Sequence, residues 1–178
     1  MKTNGIIRKV DGLGRVVIPR EFRKLNKISL GDPMEISCMD SGEIVLRKMD
    51  MTLTLEELSS TALRVLSDNI RGTVLVSGTE KWISGIGADK GKFVGRELPE
   101  ELKQHIRKRE DYSVCDVSEI AGLDVRFEGK TAFLAEPISG DSDVFGALYI
   151  TGVDSIPEAH IILLKTAAVI LGSSLQKF

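Results

Sequence analysis

Two cysteines and two histidines in 178 residues leave this chain short of the side chains from which most metal centres and many catalytic sites are built. Cys38 and Cys115 are too few and too far apart in sequence to frame a disulfide scaffold or a zinc site. His105 and His160 fall on predicted helices with no acid at a telling spacing, which fits surface or helix-end roles. No nucleophile–base pair and no metal cluster stands out, so the sequence predicts neither an enzyme nor a resident cofactor or metal, and no catalytic residue is assigned. No apolar stretch follows Met1, so no secretory signal is expected. The longest apolar run, 161–172, is interrupted by Lys165 and Thr166 and is too short to span a bilayer, so no membrane partner is expected. A reducing cytoplasm fits these absences.

Net charge is also small, −2, with 42% apolar and 28% charged residues, the balance of an ordinary soluble globular protein. The average hides a split. Residues 1–27 hold eight Lys/Arg against Asp11 and Glu21, a surplus of +6, so the rest of the chain carries −8. An asymmetry of this kind assigns anion binding to one part of the chain.

The basic part has a definite layout. Two β-type runs, Ile6–Val10 and Arg15–Ile18, flank Asp11-Gly12-Leu13-Gly14, and Asp-Gly between apolar runs is a strong hairpin signal. Pro19 suits the first turn of a helix, where its missing N–H is not needed. Along that helix Arg20, Arg23, Lys24 and Lys27 recur at i, i+3, i+4 and i+7 and share one face, with Phe22 and Leu25 on the other. After the loop 29–33, two further strands are predicted, Met34–Met39 and Glu43–Arg47, the first with Met34, Ile36 and Cys38 on one apolar face. A ββαββ unit of about 50 residues is close to the size at which a chain cannot bury enough surface alone. Val16, Val17 and Ile18 have no polar alternate, so both faces of that strand want cover. A second copy is the simplest remedy, as an obligate intertwined dimer.

Domain 1–50 is expected to lead through a connector at 51–55 into a second domain, 56–178. A helix opens at the capping box Thr54-Leu55-Glu56-Glu57. Strands follow at 73–77 and 81–84, a glycine-rich loop at 85–95, and a helix at 99–109 with Leu102 and Ile106 inward. Three more strands are expected at 113–117, 131–138 and 144–151, then a final helix from Pro157 to about Lys177. The order α-β-β-α-β-β-β-α points to an antiparallel sheet with flanking helices, an α+β fold. The loop glycines Gly85 and Gly87 lack the third glycine of a dinucleotide fingerprint, and no Gly-Lys-Ser/Thr follows, so a plain loop or pocket lip is the better reading. Trp82 is expected to pack the sheet or line a pocket. The last helix leaves almost no polar face, and such a helix needs burial on all sides. Ile162 and Val169 are therefore expected at an interface between subunits, giving a tetramer.

The N-terminal residues resemble the AbrB-like transition-state regulators of Gram-positive bacteria. The elements that carry the likeness are Gly5–Asp11, Leu13–Pro19, Gly31–Ile36 and Glu43–Lys48, together about a quarter of the chain. The resemblance implies a swapped-hairpin, barrel-like dimer that binds double-stranded DNA. The length of the remainder matches a sporulation branch of that family whose second domain is GAF-like, a sensor fold that would take an unidentified small molecule. DNA contact is then assigned to Arg8, Lys9, Arg15, Arg20, Arg23 and Lys24, and oligomerisation to Val16, Val17, Ile18, Ile162 and Val169. Lys24 stands where the family has an arginine, and a lysine lacks the planar fork for bidentate base contact, so it is assigned to phosphate. With no recognition helix to read base edges, modest AT-leaning specificity based on groove shape is expected. The function implied is a cytoplasmic, nucleoid-associated transcription regulator. An antitoxin-type autoregulator is the alternative, because antitoxins share the N-terminal fold, but they use a disordered tail where residues 54–178 here are capped and apolar-patterned.

Overall fold

The computed structural model describes residues 5–30, 32–141 and 143–176, in two units that divide between Met49 and Asp50. In the first unit the chain turns at Asp11–Arg15. Gly14, at φ +77°, donates its N–H to the Asp11 carbonyl, and the Asp11 N–H reaches the Arg15 carbonyl, both at 3.0 Å. On either side of that turn the chain is irregular rather than laddered, so the expected strands Ile6–Val10 and Arg15–Ile18 are not formed within one chain. Helix α1 (Arg20–Leu25) follows directly on Pro19, and strands β1 (Met34–Cys38) and β2 (Ile44–Lys48) pair antiparallel about a turn with Gly42 at φ +84°.

This unit has little interior. Val17 is 73% exposed and Ile36 69%, and Leu25, Ile44 and Leu46 are exposed as well. Cys38, expected on a covered apolar face, is exposed. A lone two-stranded sheet and one short helix cannot cover both faces of these strands.

The second unit opens with α2 (Met51–Asn69), capped by the Asp50 carboxylate, which accepts from the N–H groups of Thr52 and Leu53. The expected connector at 51–55 is therefore helical, and the Thr54 capping box is not the start. Asp50 offers the same acceptor four residues earlier, and an N-cap needs only that acceptor and two free N–H groups. Strands β3 (Thr73–Ser77) and β4 (Trp82–Ile86) form a hairpin, then come α3 (Glu100–Lys108), β5 (Tyr112–Val114), β6 (Ala132–Ser139), β7 (Val144–Val153) and α4 (Glu158–Leu175). The sheet order is β4-β3-β7-β6-β5 with every neighbouring pair antiparallel.

Alternation along the central strands sends side chains to two cores. Val74, Val76, Leu148 and Ile150 face α2 and α4, where they meet Leu55, Leu63, Leu66, Leu164, Ala168 and Leu171. Leu75, Ala147 and Tyr149 face the other way, under Trp82, Phe93, Leu102, Ile106 and Phe133. Trp82 is buried there, its ring 4.4 Å from that of Tyr149 and 5.1 Å from that of Phe93.

Helix α4 lies on β6 through Leu164, Ala168, Leu171, Gly172 and Leu175. Gly172 lets the two elements approach closely, because a Cβ there would run into the Ser139 carbonyl. By length and composition alone, its 18 residues could cross a membrane, which the shorter run 161–172 in the sequence did not suggest. The sheet already occupies one of its faces, and a bilayer would have to displace β6 to take it. The opposite face is open in the single chain: Ile162 is 57% exposed and Val169 65%.

Candidate nucleic-acid interface

The cationic residues singled out in the sequence fall into two groups on the first unit. Arg20, Arg23 and Lys24 project from α1 and, with Lys27, line an open groove of about 370 Å³ whose remaining wall is Ile28 and Ser29. Arg23 and Lys24 occupy the last turn of α1, where the carbonyl ends attract cations. The helix stops at Leu25, and Lys27 reaches the same groove from a left-handed residue at φ +52°, not from a continued helix. Four positive charges on one concavity repel one another unless an anion fills it.

What holds the groove's far end was not legible in the sequence. The Lys48 ammonium donates to the Lys27 carbonyl at 2.8 Å and pairs with the Asp32 carboxylate at 2.6 Å, which also accepts the Ser29 N–H at 2.6 Å. The Lys48 contact, then the Ser29 N–H, hold the Asp32 carboxyl below the ordinary carboxylate range. Asp32 and Lys48 are sixteen positions apart on either side of a hairpin, a separation that no local pattern marks.

The second group sits on the hairpin arms. Arg8, Lys9 and Arg15 are exposed and do not join the α1 groove within one chain. Arg15 is nonetheless fixed at its root. The Asp11 carboxylate accepts the Leu13 and Arg15 backbone N–H groups through Oδ1, each at 2.9 Å, and pairs through Oδ2 with Arg15 Nε at 2.8 Å. The Arg15 N–H first, and then its guanidinium, hold the Asp11 carboxyl below its usual range. Val16 and Val17 are exposed between the two cationic groups, and Ile18 is half-buried.

On the second unit, a groove of about 450 Å³ opens at the β5 edge between Val114, Ala132, Leu134, Ile156 and Ile161, with Lys130 among its polar lining. Among the described residues no group of three or more His, Cys, Asp or Glu is placed to hold a metal ion.

A family model described as stage V sporulation protein T C-terminal, transcription factor, matches residues 54–176. A second, described as antidote-toxin recognition MazE, bacterial antitoxin, matches residues 7–53. The chain belongs to the stage V sporulation protein T family of transcription factors. It is 28% identical to stage V sporulation protein T of Bacillus subtilis (strain 168), over 99% of this chain and 100% of that one. It is also 40% identical over 91 residues to the transition state regulatory protein AbrB of the same organism, covering 48% of this chain and 90% of the relative. In three dimensions it is similar to a GAF domain/HD domain protein from Geobacter sulfurreducens, with a TM-score of 0.51 at 15% identity, covering 68% of this chain and 92% of that one, a likeness of fold alone. The protein is thus a transcription regulator with an AbrB-like N-terminal unit and a GAF-like C-terminal one, and DNA binding follows from the family.

Proposed function

We propose that two chains intertwine through residues 1–50 and so assemble a cationic surface that grips double-stranded DNA, with Arg8, Lys9, Arg15, Arg20, Arg23 and Lys24 as the contacts. The observation that carries this reading is the state of the hairpin arms. Their turn is closed by the Asp11–Arg15 and Gly14–Asp11 backbone bonds and the Asp11 carboxylate, yet the flanking residues have no ladder in the single chain and expose Val16 and Val17 beside the cations. Backbone N–H and C=O groups seek partners, and arms of this kind find them in a second copy. Swapping the arms also brings the two cationic groups of both chains onto one assembly.

Such a surface positions phosphates more than it reads bases, so recognition rests on groove shape and flexibility, with an AT-leaning preference. Residues 56–178 then serve as the oligomerisation and sensing domain. The open face of α4, with Ile162 and Val169, joins dimers into a tetramer. The groove at the β5 edge is of a size to take a small metabolite. The protein would work in the cytoplasm on nucleoid DNA, regulating sporulation or transition-state genes. An antitoxin role fits less well, because the part that would clasp a toxin is a packed domain with two cores.

Replacing Arg23 and Lys24 together with alanine tests the interface. Fluorescence anisotropy on duplex DNA should show binding weakened about tenfold or more, across sequences alike, with the sedimentation coefficient unchanged. Unaltered affinity in a folded double variant would contradict the assignment.

A further inference from the structure

We propose that Asp11 is a positioning residue for DNA contact: it holds the Arg15 guanidinium by one edge so that the other edge faces the nucleic acid. The inference rests on the DNA-binding reading above and adds a role for an acid that the sequence presents only as a turn former.

The geometry is specific about which nitrogen is used. Asp11 Oδ2 takes Nε at 2.8 Å, and among the described residues neither Nη of Arg15 makes a hydrogen bond. Guanidinium is planar, so securing Nε fixes the plane and leaves the two terminal amino groups as a fork for a phosphate or for the acceptor pair of a guanine. The arginine side chain is 71% exposed and would otherwise sample many rotamers, which it must give up on binding. Asp11 is itself held, because Oδ1 accepts two backbone N–H groups of the turn. The buttress is therefore tied to the backbone of the turn and not to another mobile side chain. An exposed ion pair contributes little to stability, so its placement here counts for orientation.

The opposite expectation is simple. An acid beside a polyanion repels it, and removing the charge should strengthen binding. The two views differ in sign for one substitution. In Asp11→Asn the side-chain carbonyl still accepts the turn N–H groups, but the amide nitrogen that replaces Oδ2 cannot accept from Nε. The test is anisotropy on duplex DNA at fixed salt with full-length wild type, D11N, R15K and the D11N/R15K double variant, each checked by sedimentation for unchanged assembly. D11N should weaken binding by about fivefold for each arm engaged, the scale of ordering one flexible side chain. In the R15K background, where lysine has no Nε–H fork to hold, D11N should cause no weakening.

Tighter or equal binding by D11N overturns the proposal, and so does an equal weakening with and without Arg15. Failure of the wild type to bind DNA would instead remove the DNA-binding reading itself. Should D11N not assemble, D11S replaces it, since a hydroxyl still accepts a turn N–H but carries no charge, and its outcomes are read the same way.

Discussion

Glu136 illustrates how much a single side chain depends on the layer it faces. It lies on β6 on the side toward α4, mostly buried, with the Lys165 ammonium 3.9 Å away and Asp111 sharing that lysine at 3.3 Å. Burial pushes its carboxyl up, Lys165 only partly offsets this, and Asp111 adds to the rise. A carboxyl raised in the folded state is one whose ionisation opposes folding, so stability is lost as pH climbs from the unfolded value through the folded one. Glu136→Gln should therefore gain on wild type in denaturant midpoint as pH rises from about 4 toward 7, with the two alike in acid. A glutamine variant less stable than wild type at neutral pH would contradict this. Nothing in the sequence marks Glu136, because alternation in 132–139 identifies two faces but not which is the deeper. The shared face of Arg20, Arg23 and Lys24 was legible by contrast, because charge at i, i+3 and i+4 on a short helix needs no tertiary information.

Elements were legible where their periodicity is strong. The C-terminal order α-β-β-α-β-β-β-α and the inward Leu102 and Ile106 follow from patterns of 3.6 and 2, and they appear in the fold. Boundaries were less so: Asp50 took the cap expected of Thr54, and β5 shrank to Tyr112–Val114 before the short turn at Val117–Glu119. Strand character in 6–10 and 15–18 says that these residues suit a sheet, but within one chain they form no ladder, because strand propensity depends on a neighbour that the local pattern does not supply. Helix α4 poses the same question on its outer face. Its apolar residues on all sides mark it for burial, yet the sheet covers only one side of it. Ile162→Glu with Val169→Glu should convert a tetramer to dimers in sedimentation velocity while DNA binding of each dimer persists, because charge on an apolar interface goes unpaired. A tetramer that survives both charges would show that this face is not the joint.

For the whole molecule, the division of charge is the organising fact. The basic first unit and the acidic remainder are joined in sequence by only the few residues between β2 and α2, and under the proposed assembly, linking two DNA-binding units through the second domain would raise the effective concentration of each for the same duplex. On the proposed reading, weak phosphate-directed contacts would then suffice for occupancy without a strict consensus. A two-chain clamp presents twelve copies of the six assigned cations. If about half meet phosphates, affinity should fall with salt at a log–log slope of roughly −5. The most direct test is that slope, taken from anisotropy titrations of the full-length protein on duplex DNA between low and physiological salt. A value near −5 is the expected result, and binding indifferent to salt would contradict the cationic clamp.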